Sequence, residues 1–262
     1  MITNPTLNQV KMNTLDTIFQ HRSIRKFKDK AVSDEVLEKI LKAASRGSTT
    51  GNMQVYSIIV TRDAENKKAI LPFHFNQQMV TQAPVVLTFN ADFNRFNLWC
   101  EQRKAKPGYD NFLSFLTAAT DAVIAAQNAA LAAEALGLGI CYLGTTNYMA
   151  DELIEFFGLP KGVVPITTLV VGYPDEQPPL TDRLPAEGIV HYEKYHHFSP
   201  ADIDRIYHDK ESLEMTKKLI EENGTETLAQ IFTEKRYTKE NNEFFSAKLL
   251  KTLEKQGYSL DF

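Results

Sequence analysis

From Leu113 to Leu136 the chain is rich in alanine and apolar nearly all round, and this stretch limits the possible folds more than any other. As a helix it is about 36 Å long at ~1.5 Å per residue, and a helix apolar on every side is expected to be buried on every side. Asp121, Gln127, Asn128 and Glu134 are scattered through it. That placement is costly in lipid and ordinary in a packed interior, so the stretch reads as a core helix and not as a membrane span. Its small residues permit close helix approach, and contact with a second copy of the chain is expected as well.

A buried helix of that length needs a sheet to cover it. Pro84 to Ala91 and Val163 to Val171 are continuous apolar runs of strand length, the pattern of strands covered on both faces. Val55 to Arg62 and Ile140 to Leu143 complete a set of four. Helical patterns lie between them. Ser33 is an N-cap, Asp34 and Glu35 form an acidic first turn, and Val36, Leu37, Ile40, Leu41 and Ala44 make an apolar stripe that ends near Gly47. Ala64 to Leu71, Phe73 to Gln82 and Asp92 to Lys106 follow, the last carrying the single tryptophan, Trp99, before Pro107 and Gly108 interrupt it. Met149 to Phe157 is closed by Gly158 and Pro160. Strands separated by helices predict a layered α+β or α/β architecture. After Pro174 the character changes. A proline- and acid-rich segment runs to Pro185, and Ala201 to Lys255 reads as two or three charged amphipathic helices, either a solvated face or a cover for a second subunit.

With 262 residues, 43% hydrophobic and 24% charged, the chain can bury a sizeable core as one domain, or one domain plus an excursion. A net charge of −4 and the lack of a basic stripe argue against nucleic acid as a partner. Two cysteines, Cys100 and Cys141, make neither a disulfide framework nor a zinc pattern, which favours the cytosol. The N-terminus shows no basic segment followed by an apolar run, so no signal peptide is expected.

The densest chemistry is the pentad His21-Arg22-Ser23-Ile24-Arg25. Asn13 as N-cap, Asp16 at the third helical position, and Leu15, Ile18 and Phe19 on one face predict a helix running to about His21. Two readings of the pentad are open. Its cations answer the negative end of the helix dipole, worth roughly 0.3–1 kcal/mol each, or they form an anion site. Arg25 and Lys26 continue past the helix, and a serine between two arginines suits a phosphate ester. The polar loop Ser48 to Gln54 is a further candidate, because function is carried on loops held by a scaffold; Gly144 to Asn147 is a tight polar turn leading into the next helix.

Taken in order, these stretches resemble the FMN-dependent nitroreductase family, in its larger branch of flavin reductases and oxygen-insensitive nitroreductases. The resemblance is carried by the pentad, the Ser/Thr loop ending in Gln54, Gln82-Ala83-Pro84, Ala91-Asp92-Phe93-Asn94-Arg95, Gly137-Leu138-Gly139, Gly158-Leu159-Pro160 and Arg183-Leu184-Pro185. It covers residues 13 to 185 well and the tail weakly. It implies an α+β, three-layer α-β-α fold with a central mixed sheet, a flavin-binding core over 13–185 and a helical excursion over 186–262. It also implies a cytoplasmic homodimer with FMN at the interface.

The same resemblance assigns roles. His21, Arg22 and Ser23 contact the phosphate and ribityl chain, and Arg183 is a phosphate ligand whose planar fork suits two oxygens. Arg25 sits near the pyrimidine edge of the ring, where a cation tunes the flavin electrostatically. Gln77 hydrogen-bonds the ring, Ser48, Thr49 and Gln54 lie beside it, and Tyr142-Leu143-Gly144-Thr145 lies against it. The implied reaction is ping-pong hydride transfer from NADH or NADPH through flavin to a nitroaromatic, a quinone or free flavin. Alternatives within the fold are enone reduction, dehalogenation and flavin cleavage, and outside it a non-catalytic FMN-binding or helical interaction protein. Two departures stand out. Thr181 replaces a lysine that many relatives place two residues before the arginine, and Ser246-Ala247 falls where NADPH users often carry Arg-Pro.

Overall fold

The computed structural model describes residues 13–260; the N-terminal segment read for targeting lies outside them. Several helices begin where a side-chain oxygen takes one of the free amides of the first turn. Asn13 caps α1 (Thr14–Phe19) at Asp16 N, and Ser33 caps α2 (Asp34–Ala44) at Val36 N. After strand β1 (Tyr56–Thr61), Asp63 caps α3 (Ala64–Ile70) at Asn66 N. The stretch predicted as one helical piece from Phe73 is a 3-10 turn, Pro72–His74, followed by α4 (Met79–Gln82). Phe75 and Asn76, both left-handed with φ near 52° and 56°, separate the two. Next come β2 (Val85–Asp92), α5 (Asn94–Gln102), α6 (Phe112–Ala135) and β3 (Gly139–Leu143). They are followed by the 3-10 turn Gly144–Thr146, α7 (Ala150–Phe157), with Gly158 left-handed after it, and β4 (Val163–Gly172).

The four strands form one sheet in the order β1-β2-β4-β3. All of their pairings are antiparallel, so the expected mixed sheet is confined to a parallel bridge between Ser23 and Ile140 at the outer edge of β3. Antiparallel neighbours need no crossover of fixed hand, so connections of several short helical pieces suffice to join them. Side-chain alternation along β2 separates the layers. Val85, Leu87, Phe89 and Ala91 face α2 and α6 in one core, while Val86 joins Ile70, Met79, Val80 and Leu153 from α3, α4 and α7 in the other. β2 is buried along its whole length, as an apolar run without alternation predicts.

Helix α6 is a core helix packed on α2, β2 and β4. Only one side of it is covered within the chain. Ala118, Ala122, Ala125, Ala126 and Ala129 are buried, whereas Leu113 is 71% and Leu116 49% exposed. α1 is the same: Thr17 points inward, and Leu15 and Phe19, expected on a packed face, are 60% and 69% exposed. Among the described residues nothing covers these apolar sides.

The chain divides into two units, residues 1–179 with 247–262, and residues 180–246. The sequence boundary put everything after 186 in an excursion, but the final stretch returns to the first unit, where Leu253 and Tyr258 are buried in the α6 core. The second unit contains α8 (Pro200–Ser212), α9 (Glu214–Asn223), the short α10 (Leu228–Gln230), a π-helical turn at Ile231–Arg236 and the start of α11 (Lys239–Lys255). A capping box between Ser199 and Asp202 starts α8, and the Ser199 hydroxyl and amide hold the Asp202 carboxyl below the usual carboxylate range.

Candidate active site

The pentad is an extended segment beyond the helix. α1 ends at Phe19 with no basic residue in its last turn, which removes the helix-dipole reading. Ser23 bridges Ile140, and Ile24 N–H donates to Ile140 O at 2.8 Å, laying the pentad along the free edge of β3. Ile24 and Phe27 turn into the core while Arg25 and Lys26 face out. Gly139 makes this approach possible: a Cβ there would lie 2.6 Å from Ile24 Cγ1. The Arg25 and Lys26 amides donate to Glu176 Oε1 at 2.5 and 3.1 Å.

His21 Nδ1 pairs with Glu134 Oε1 at 2.7 Å. Burial raises the pKa of the Glu134 carboxyl, opposed by His21 and the Arg22 amide. Arg22 Nη2 donates to Gln20 Oε1 at 3.1 Å, but its Nε is buried without a partner. It lines a cavity of about 400 Å³ with Ile24, Glu134, Leu138 and Pro174. Ser23 and Arg25 lie beside Cys141 of β3; burial pushes that thiol up, and Arg25 and Ser23 draw it down.

β3 runs directly into the second predicted stretch. Leu143 points into the core, and Gly144 is exposed, with open space where a Cβ would stand. Tyr142 donates to Gln127 Oε1 at 3.3 Å, and burial, then the Glu134 charge, pushes its phenol up. Thr146 Oγ1 donates to Leu143 O and Thr168 Oγ1, both at 3.0 Å, and Thr145 Oγ1 meets His74 Nδ1 at 2.9 Å. Gln77, half-buried, donates its amide to His74 O at 3.1 Å. The pentad, residues 142–145 and Gln77 are thus joined through β3 and His74.

The Ser48–Gln54 loop is held elsewhere on the first unit. Asp121, buried in α6, accepts from Thr50 N at 3.0 Å and Val55 N at 3.3 Å. Gly51, Asn52 and Gln54 are left-handed, and the Arg95 guanidinium holds Gln54 O. Ser48 and Gln54 are exposed and Thr49 half-buried. Among the described residues no hydrogen bond joins this loop to the pentad or to residues 142–145. A cavity of about 520 Å³ lies beside it, lined by Gly51, Asn52, Met53, Arg95, Phe96 and Trp99. In the second unit Arg183 is exposed, and its Nη1 donates to Thr181 Oγ1 at 2.6 Å and Asp182 O at 2.9 Å.

Four residues of this arrangement escaped the sequence reading. Asp121 and Glu134 carried a signal, as acids inside an apolar helix; Glu176 and His74 carried none. Among the described residues no cluster could hold a metal ion. The donor set does fit FMN. Among the described residues Arg22 Nε lacks a partner and the exposed Arg25 has no ion pair; Gly144 is open, and the nearby carboxylates of Glu134 and Glu176 are already engaged.

The nitroreductase family model matches residues 18–173. The chain is 39% identical over 183 residues to the FMN reductase (NAD(P)H) of Bacillus subtilis strain 168, covering 69% of this chain and 74% of that protein. It is 38% identical over 182 residues to the oxygen-insensitive NADPH nitroreductase of Salmonella typhimurium, covering 70% and 74%. A solved structure from Bacteroides fragilis NCTC 9343 superposes with a TM-score of 0.91 at 53% identity, covering 92% of this chain and 98% of that one. On the family match, these identities and the shared fold, the chain belongs to the nitroreductase family.

Proposed function

We propose that the chain is an FMN-dependent oxidoreductase that takes hydride from NADH or NADPH and passes it to a flat conjugated acceptor, either a nitroaromatic, a quinone or free flavin. Bound FMN supplies the hydride chemistry; the chain's residues bind, orient and polarise. Arg22 and Ser23 hold the phosphate and ribityl chain, and His21 joins them, steered by Glu134 through its Nδ1; the role of Arg183 as a phosphate ligand rests on the family resemblance alone. With Thr181 in place of the family lysine, Arg22 and Arg183 carry more of the phosphate charge. Arg25 stands at the pyrimidine edge of the ring, where its charge favours electron density arriving there. Gln77 and the backbone amides of Gly144 and Thr145 hydrogen-bond the ring. Ser48, Thr49 and Gln54, on the separate polar loop, are placed beside the ring by the family resemblance alone.

The observation that carries this reading is the unbroken run from pentad to β3 to the open Gly144 turn, tied to Gln77. The curated relatives named for FMN reductase and NADPH nitroreductase activity agree with it. The acting unit is proposed to be a homodimer with FMN at its interface and the excursion lying over the partner. The exposed apolar sides of α1 and α6 support a second copy there. Cys100 and Cys141, both buried and free, suit the cytosol.

The test is a visible absorption spectrum of the purified protein with added FMN, followed by anaerobic titration with NADH and NADPH. A yellow protein bleached by one donor or both is expected. A colourless protein that retains no FMN overturns the reading.

A further inference from the structure

We propose that His74 is a positioning residue for the ring end of the flavin site, holding the Gly144–Thr146 turn and the Gln77 segment in one fixed relation. The proposal rests on the FMN reading above and adds a residue that no motif in the chain marks.

His74 closes the 3-10 turn Pro72–His74 and is 0% exposed. Its Nδ1 lies 2.9 Å from Thr145 Oγ1, while its Nε2 is buried and has no partner. Ile70 and Val80, close by in sequence, belong to an apolar core, so leucine or phenylalanine would bury as well there and leave no polar atom orphaned. An orphaned nitrogen in a native core needs a reason. Here the reason is the other nitrogen, which makes the bond that a hydrocarbon side chain lacks.

That bond ends on the turn that the flavin ring is proposed to touch. Thr146 is independently tied to Leu143 O and Thr168 Oγ1, so the His74 contact fixes the remaining side of a short turn whose Gly144 is open to solvent. The backbone of His74 does the second half of the work. Its carbonyl accepts from Gln77 N at 3.1 Å, closing a loop in which Phe75 and Asn76 are both left-handed. Non-glycine residues adopt that conformation only where their surroundings impose it. One residue therefore anchors both ring-facing segments, through its side chain on one and its main chain on the other. Burial alone lowers the imidazole's pKa to about 4, which keeps it neutral near neutral pH.

The experiment is an FMN titration of the apoprotein, read by quenching of flavin fluorescence and by the visible circular dichroism of the bound flavin. It uses His74→Leu, His74→Asn, Thr145→Val and the double variant His74→Leu/Thr145→Val. A single oriented hydrogen bond of this kind couples its partners by about tenfold in an equilibrium constant. His74→Leu and Thr145→Val are each expected to weaken FMN binding about tenfold, and the double variant no further. His74→Asn, whose amide reaches the Nδ1 position, is expected to stay within about threefold of the parent. A folded His74→Leu protein with unchanged FMN affinity and flavin spectrum overturns the proposal, and so does a double variant weakened by the full product of about a hundredfold. If His74→Leu does not fold, the comparison of Thr145→Val with His74→Asn decides in the same way: Thr145→Val binding FMN as tightly as the parent sinks it. A parent protein that binds no FMN fails the functional reading instead, so the two failures are distinct.

Discussion

Burial pushes the His74 imidazole down from its ordinary 6.5 to about 4 in the folded chain. Between those values the unfolded chain binds more protons than the folded one, so stability rises with pH across the window and is lost as pH falls from 6.5 towards 4. A shift of that size corresponds to roughly 3 kcal/mol at full extent. Urea unfolding of the parent and of His74→Asn across this range should show the acid loss shrinking in the variant; parallel profiles would contradict it. Other single residues act by fastening loops. Asp121 fastens both ends of the polar loop, and Glu176 fastens the pentad, each through two backbone amides. Bonds to a carboxylate are worth about 1.5–3 kcal/mol, more than neutral ones, which is why acids serve where a loop must hold left-handed residues. The pentad itself was legible as chemistry, from its residue types. Its local structure was not, because the helix stops at Phe19 and the next residues pair with a strand more than a hundred positions away.

Apart from the Phe73–Gln82 piece, which is broken at Phe75 and Asn76, the helices and strands of the first unit came through from the sequence with small shifts at their ends. Asn13 and Ser33 cap as expected, β2 and β4 are buried on both faces, and Gly158 ends α7 in the left-handed region. These properties are local: a cap needs the next three residues, and a face needs only a period. The motif Gly137-Leu138-Gly139 now has a physical account. Gly137, with φ 79°, turns the chain out of α6, and Gly139 leaves room for Ile24. Gly139→Ala forces a methyl group into Ile24 at the joint between pentad and β3. It should cost about 1–3 kcal/mol by overpacking, read as a lower urea midpoint. An unchanged midpoint would mean the pentad is not packed on β3 as described.

At the scale of the molecule, the proposed second copy would cover the exposed apolar sides of α1 and α6. Leu113 and Leu116 near the start of α6, and Leu15 and Phe19 on α1, are large apolar side chains left open to solvent. The parent should therefore sediment at twice the mass of 29.7 kDa, and Leu116→Glu should shift it to a single chain by burying a charge in the interface. A parent that sediments as one chain would refute the dimer. The sequence by itself determined the elements, which strands are covered on both faces, the core role of the long helix and, through its ordered motifs, the family. The tertiary structure alone decided the strand order, the return of the final residues to the core, and which acid serves which partner. Period and capping are written within a few neighbouring residues. The His21–Glu134 pair spans 113 positions and the Arg25–Glu176 bond 151, and only the folded path of the chain brings such partners together.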